Sequence, residues 1–260
     1  MDDIKVTCIN PACNDTKDHL WINIKKMVYH CWKCDFGGKV IDNKAIQRIL
    51  KNRGPIKPTS TVSNSMDLID TSEFVDIKTL KTDHAAIQYI KSREVSLDSC
   101  IQLGCMYAPS GVLSGRIVFP VRNNNAIVGW QGRSVYGRVP KYKIYGRKNA
   151  GMYNVKKLQD YKNFAIIFEG VFDVLKVPDH GISILGKKMS EPQLRMLSTF
   201  LNVKIVFIML DSDANKEENV LAKQLSPYFK CIPIQLETGD PGDITEIEIL
   251  TKCLSMKGKK

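Results

Sequence analysis

At 260 residues and 43% hydrophobic, the chain is long enough for one large core or two modest ones, and its longest apolar runs fall far short of a membrane span. The start Met1-Asp2-Asp3 lacks the basic residues and apolar stretch of a signal peptide, so a cytoplasmic location is expected, or a host's cytoplasm for a viral chain. The net charge of +11 is uneven, +4 over residues 1–53, +8 over 54–164 and −1 over 165–260, and ten Lys/Arg but no Asp or Glu occur between Asp98 and Asp160, so a polyanion is the expected partner.

Eight cysteines in a cytoplasmic protein suggest metal ligands and buried thiols before disulfides. Cys8 and Cys13 are separated by four residues, Cys31 and Cys34 by two, and seventeen lie between the pairs. That is the spacing of a four-thiolate zinc ribbon, favoured over a redox-active Cys-x-x-Cys because two pairs stand at this separation. With four thiols present, His19 and His30 read as surface residues. Ile22, Ile24, Val28 and Tyr29 flank Lys25-Lys26 as in a hairpin linking two knuckles, and Gly37-Gly38 is expected to supply the turn out of the second. A ribbon this short has little core, so zinc is expected to hold it folded. Trp21, Tyr29, Trp32 and Phe36 lie among Lys25, Lys26 and Lys33. Exposed rings among lysines suit stacking on single-stranded bases, which marks Trp21, Lys25, Lys26 and Trp32 as candidate nucleic-acid contacts; equally, two or three of these rings would build the ribbon's miniature core.

Val40 to Lys51 reads as a short helix with Ile41, Ala45, Ile46 and Ile49 on one side. Residues 54–66, with two prolines and a Ser/Thr-rich tail, read as a linker. From Asp83, the pattern Ala86, Ile87, Ile90 predicts a helix, and Ser96 caps a second holding Leu97 and Ile101. Cys100, Cys105, Cys231 and Cys253 read as core or incidental thiols. Arg116–Arg122 and Ala126–Arg133 predict two strands joined by Asn123-Asn124-Asn125, and Pro140-Lys141-Tyr142-Lys143 and Tyr145-Gly146-Arg147-Lys148 follow.

Phe164–Phe168 is an unbroken apolar run that stops at Glu169-Gly170, and Val203–Leu210 is a second that stops at Asp211-Ser212-Asp213. Between them lie a third strand candidate, Gly181–Leu185, and a helix over Glu191–Phe200. Alternating strands and helices predict a parallel sheet with crossover helices, whose strands end along one edge. Glu169, Asp211 and Asp213 then converge there, and Asp173, one helical turn past Glu169, faces the same spot. Oxygen-only ligands of this kind suit Mg²⁺ or Mn²⁺. Beyond this stretch, Glu217–Ser226 reads as a helix, Cys231–Leu236 as a strand and Ile244–Cys253 as a last helix. The segment Gly181 to Lys188 nearly spells a phosphate-binding loop, but it lacks the Ser or Thr that would hold Mg²⁺ and its middle reads as a strand, so it is set aside.

Glu-Gly-x-x-Asp followed by Asp-x-Asp, each after an apolar strand, resembles a Toprim domain. The ordered set Arg-Ile-x-Phe-Pro-x-Arg from Arg116, Gly-x-x-Gly-Arg ending at Arg133, Pro140-Lys141-Tyr142 and Glu169-Gly-x-x-Asp173 resembles the RNA polymerase domain of DnaG-type primases. Ile-Lys-Ser-Arg-Glu-Val-Ser and Leu-Gly-Cys-Met-Tyr-Ala-Pro upstream fit as well, and the ribbon is similar to that family's zinc domain. The resemblance implies an α/β Toprim core with a parallel sheet and a small basic α+β subdomain, preceded by a β zinc ribbon on a linker. The expected boundaries are 1–53 for the ribbon, 54–66 for the linker, 67–160 for the basic subdomain and 161–260 for the Toprim part. It also implies that Arg116, Arg122, Arg133, Lys141, Lys143 and Arg147 contact nucleotide phosphates and template backbone, with Lys141 among the catalytic residues. Asp240 and Asp243 would complete the magnesium ligands offered by Glu169, Asp211 and Asp213. This chain carries an extra Gly242 in that loop, and Ala214-Asn215-Lys216 where the family has a glycine.

The expected function is synthesis of short RNA primers on single-stranded DNA, from NTPs, with structural zinc and catalytic Mg²⁺ or Mn²⁺ and no membrane partner. A replicative helicase, where one is needed, is expected in trans, since neither a helicase motor nor a helicase-docking segment is found; a phage or plasmid origin is expected for the same reason. The alternatives are a zinc and Toprim recombination mediator that clamps DNA without catalysis, and a Toprim nuclease.

Overall fold

The computed structural model describes residues 3–10, 13, 15–44, 46–47, 49, 71–160, 163–237 and 239–257. The chain divides into two compact units, residues 1–67 with 223–229 and residues 68–222 with 230–260. The linker expected at 54–66 lies outside the described residues. No helix among the described residues is long and apolar enough to cross a membrane.

In the first unit, β1 (Asp3–Val6), β2 (Leu20–Asn23), β3 (Val28–Cys31) and β4 (Gly37–Lys39) form an antiparallel sheet in that order. Side chains alternate across a strand, so Leu20 and Ile22 share a face and meet Ile4, Tyr29, Cys31, Val40 and Ile46 in one small buried cluster. The turn out of the second knuckle is not made by Gly37-Gly38. It is made at Asp35, whose amide donates to Cys31 O at 2.9 Å and whose φ is +56°. Gly37 and Gly38 belong to β4, where a Cβ on Gly37 would come within 3.0 Å of the Tyr29 carbonyl; glycine lets β4 close on β3. The helix expected from Val40 is split. Val40–Asp42 is a 3-10 turn, and helical backbone resumes at Lys44, where Asn43 Oδ1 accepts the Ile46 N–H at 3.2 Å as a cap. Ala45 and Lys51 lie outside the described residues.

In the second unit, β5 (Val75–Asp76), β6 (Met106–Ala108), β7 (Arg116–Asn123), β8 (Ala126–Ser134) and β9 (Tyr142–Gly146) form an antiparallel sheet in sequence order. The hairpin of β7 and β8 turns at Asn123-Asn124-Asn125 with Asn124 at φ +51°, a conformation asparagine tolerates. Two short helices, α1 (Ala85–Ser92) and α2 (Leu97–Gln102), precede it. Ser96 Oγ caps α2 by accepting the Asp98 and Ser99 amides. Cys100, Cys105 and Cys253 are buried thiols and Cys231 is half-buried.

The parallel sheet comprises β10 (Phe164–Phe168), β11 (Gly181–Ser183), β12 (Ile205–Ile208) and β13 (Lys230–Pro233), ordered β11-β10-β12-β13. Its crossovers carry α3 (Val171–Lys176), α4 (Glu191–Ser198) and α5 (Asn215–Leu225), and α6 (Glu246–Lys257) follows β13. The central strands are apolar and wholly buried from Ala165 to Phe168 and from Val206 to Ile208, as expected of strands covered on both faces. β11 ends before Leu185 because Leu185 turns with φ +62°. Since the strands are parallel, Glu169, Asp211 and the 239–243 loop follow the C-terminal ends of β10, β12 and β13 along one edge.

Candidate functional site

The sulfurs of Cys8, Cys13, Cys31 and Cys34 lie within 4.8 Å of one another, the geometry of a four-thiol zinc-binding site. Cys8 Sγ stands 3.7 Å from Cys34 Sγ, and Cys13 Sγ 3.9 Å from Cys31 Sγ. Asp15, which the sequence reading missed, braces the first knuckle. Its carboxylate accepts the amides of Cys8 (2.8 Å), Lys17 (3.0 Å) and His19 (2.9 Å) and sits 2.5 Å from His19 Nδ1. Burial pushes this carboxyl up, but His19 and the three amides outweigh it and hold the group well below the usual carboxylate range. Asn10 donates to Cys34 Sγ at 3.6 Å, the kind of outer contact that orients a metal ligand.

Trp21 is fully buried in β2, so it is a core ring and not a platform for bases; short strands in a small unit need both faces covered. His30, expected at the surface, is only 1% exposed, and burial holds its imidazole below the usual range. Trp32 is half-buried and edge-on to His30 at 4.9 Å, Lys25 is exposed, and Lys26 is half-buried.

At the edge of the parallel sheet, Glu169, Asp173, Asp211 and Asp240 share one electrostatic field. Burial first, then the charges of Asp211, Asp213 and Asp240 against the opposing pull of Lys187, push Glu169 up to about 7. Burial and then Asp211 push Asp173 up to about 7 as well, against the Gly170 amide that donates to its Oδ2 at 3.1 Å and against Arg93. Asp211 is raised by burial and by Asp240. Glu169 is fixed through its carbonyl, which accepts Ser183 Oγ at 2.8 Å and the Gly186 amide at 3.1 Å. Its Oε2 is buried and accepts no hydrogen bond from a described residue.

The 239–243 loop divides its two acids. Asp243 Oδ2 accepts the Asp240 amide at 3.1 Å and its charge reaches Asp211, whereas Asp240 acts on Glu169, Asp173 and Asp211 together. Gly242 packs against the acids directly: a Cβ there would stand 2.8 Å from Asp173 Oδ1 and 3.2 Å from Arg93 Nη2. A side chain at this position would therefore crowd Asp173, and glycine leaves that approach open.

Three side chains at this edge were not singled out by sequence reasoning. Lys187 Nζ holds both oxygens of Asp213, at 2.6 and 2.7 Å. Glu218, 1% exposed, accepts the Leu210 amide at 2.9 Å and so props the backbone just before Asp211. Arg93 lies in the motif Ile-Lys-Ser-Arg-Glu, where only its place in an ordered pattern, not its neighbours, gave it weight.

The basic residues separate into two groups. Arg116, expected on phosphates, is 5% exposed and its guanidinium donates to the carbonyls of Pro140 (2.8 Å), Lys141 (3.2 Å) and Gly132 (3.4 Å). It is a brace for the Pro140-Lys141 turn and leaves the set of direct contacts. Arg133 stands over the rings of both Tyr89 and Tyr142, 5.3 and 4.8 Å from their centroids, contacts that favour a fixed place for its guanidinium. Lys141 and Arg147 are exposed and Lys143 is half-buried. Arg122 donates to Asn125 O at 3.0 Å and lines a separate 310 Å³ cavity with Lys156 and Lys157.

The raised carboxyls make stability depend on pH. Glu169 and Asp173 bind protons more tightly folded than unfolded, so their contribution is full below the unfolded values near 4 and is lost as pH rises through about 7. Calorimetry without Mg²⁺ or Mn²⁺ should show the second unit's thermal midpoint falling across that window, with added Mn²⁺ restoring more stability above pH 7 than below pH 6. A flat profile contradicts the burial of these two acids at a shared acidic edge.

The fold and the site define a protein with a four-cysteine ribbon, a basic antiparallel sheet and a parallel sheet with an acidic edge. No family model matches the chain. It is 24% identical over 294 residues to the DNA primase of Thermotoga maritima, covering 84% of this chain and 52% of that protein. With the DNA primase of Aquifex aeolicus it shares 25% identity over 233 residues, covering 81% and 44%. The chain thus spans about half the length of these curated relatives. Among solved structures it is similar to the zinc-binding and RNA polymerase domains of the Aquifex aeolicus primase, with TM-score 0.58, 18% identity, and 98% of this chain and 79% of that one covered. It is also similar to a DnaG primase catalytic domain bound to single-stranded DNA, with TM-score 0.59, 15% identity, and 71% and 75% covered. The chain is thus similar in sequence to bacterial DNA primases, and its fold is that of the zinc-binding and RNA polymerase domains of such a primase.

Proposed function

We propose that this protein is a DNA primase, a template-directed RNA polymerase that starts short RNA strands on single-stranded DNA. The observation that carries the reading is that Glu169 and Asp173 after β10, Asp211 after β12 and Asp240 after β13 meet at one edge, where burial first and their neighbours' charges second raise the carboxyls of Glu169, Asp173 and Asp211. Carboxylates crowded in this way are stabilised by a divalent cation, and the buried, unpartnered Oε2 of Glu169 fits a ligand oxygen. Glu169, Asp211, Asp213 and Asp240 would hold Mg²⁺ or Mn²⁺, with Asp243 fixing the loop and Asp173 lending charge from beneath. Bound there, the ion supplies charge neutralisation for the triphosphate and a lowered pKa for the attacking 3′-hydroxyl.

The remaining work belongs to the chain's own side chains. Arg133, oriented by Tyr89 and Tyr142, presents a planar fork suited to phosphate, while Lys141, on a turn pinned by Arg116, offers an exposed point charge. Lys143 and Arg147 extend this cationic surface for the template backbone, so template binding should weaken as salt rises. Zinc in the four-thiol site would hold the ribbon, whose exposed Lys25 and half-buried Trp32 remain candidates for template contact.

Incubation with Mg²⁺, NTPs and single-stranded templates of varied sequence tests the proposal. Short oligoribonucleotides are expected. Template bound without product would indicate a DNA clamp, and template shortening would indicate a nuclease.

A further inference from the structure

We propose that Lys187 is a tethered cation of the acidic edge. It neutralises Asp213 before a divalent ion arrives, yields to that ion, and then turns its ammonium to a phosphate of the incoming nucleotide. The proposal rests on the metal reading of the edge and deepens it.

The geometry points this way in three respects. Lys187 Nζ donates to both oxygens of Asp213 at 2.6 and 2.7 Å, so a metal ion using that carboxylate competes with the ammonium for it. Secondly, the pair is partly open to solvent, with Lys187 33% and Asp213 74% exposed; ion pairs so placed are weak, which makes the exchange easy. Thirdly, the backbone carrying Lys187 is tied to the metal-facing segment itself, since the Gly186 amide donates to the Glu169 carbonyl at 3.1 Å. The stem of Lys187 thus starts at a fixed place beside the acids, and its four-carbon reach lets the ammonium move without leaving the edge. A second ammonium, that of Lys148, lies where a Cβ on Gly186 would come within 3.3 Å of it, so the turn is bordered by two cations. An ammonium released from Asp213 at this position is a point charge of the kind that binds phosphate.

Lys187→Met removes the charge and keeps the stem, and Lys187→Arg keeps the charge. In calorimetric titrations with Mn²⁺ alone, Lys187→Met should bind the ion roughly 3–10-fold more tightly than wild type, because no ammonium competes for Asp213. In titrations with a nucleoside triphosphate at saturating Mn²⁺, the same variant should bind roughly 3–10-fold more weakly. Lys187→Arg should move both values back toward wild type. A purely structural role would weaken both, and unchanged Mn²⁺ affinity or unchanged nucleotide affinity in Lys187→Met overturns the proposal. A wild-type protein that takes up no Mn²⁺ overturns the metal reading together with it, which separates the two failures.

Discussion

Asp211→Ala should abolish primer synthesis and leave the fold intact. Asp211 follows the central strand β12, and of the acids that act on Glu169 and Asp173 it acts most strongly on both. Its loss removes the one ligand supplied directly after β12 that no cation among the described residues pairs, and leaves the exposed Asp213, already shared with Lys187, as the nearest carboxylate on that segment. A fall in oligoribonucleotide yield of about 10³-fold or more is expected, on the order of 4 kcal/mol of transition-state stabilisation. The same substitution relieves repulsion among the acids, so in the absence of divalent ions the variant should melt no lower than wild type. Activity lost with stability kept separates a ligand from a packing residue. Ordinary primer yields from Asp211→Ala would remove Asp211 from the metal site.

Zinc removal should unfold the ribbon and spare the parallel sheet. The ribbon's buried cluster holds Ile4, Leu20, Ile22, Tyr29, Cys31, Val40 and Ile46, too small a core to hold four short strands by itself. Metal binding to four thiolates is worth roughly 10–16 kcal/mol in small zinc domains, far more than such a core supplies. After chelation, or in Cys31→Ser, hydrogen exchange should show β2 and β3 losing protection while β10 and β12 keep theirs. Protection of β2 and β3 that survives complete loss of zinc contradicts this account.

The features of the fold that the sequence made legible are those whose cause is local. Apolar runs stopping at Glu169 and Asp211 mark parallel strands because both faces of such a sheet are covered, and the four-cysteine spacing reflects the reach of two knuckles around one ion. Ser96 and the Asn123–Asn125 turn were readable because their side chains cap or bend the chain where they stand. Other features depend on tertiary neighbours that spacing does not carry. Arg116 looks like a phosphate ligand until Pro140 and Lys141 offer it their carbonyls. Trp21 sits among lysines in the sequence yet is buried on the face of β2 opposite Leu20 and Ile22, against the ring of Tyr228. Lys187 was hidden in a segment resembling a phosphate loop, and only the parallel order β11-β10-β12-β13 brings it to Asp213. Asp15 gave no signal beyond standing two residues after Cys13.

The account turns on acids from separate strand ends holding one divalent site. Titration of Mn²⁺ into wild type and Asp211→Ala, followed by the loss of the free ion's paramagnetic resonance signal, measures this directly. The wild type should take up Mn²⁺ with an affinity at least about 10-fold above that of Asp211→Ala, with zinc content equal in both. Equal uptake by the two proteins would contradict it.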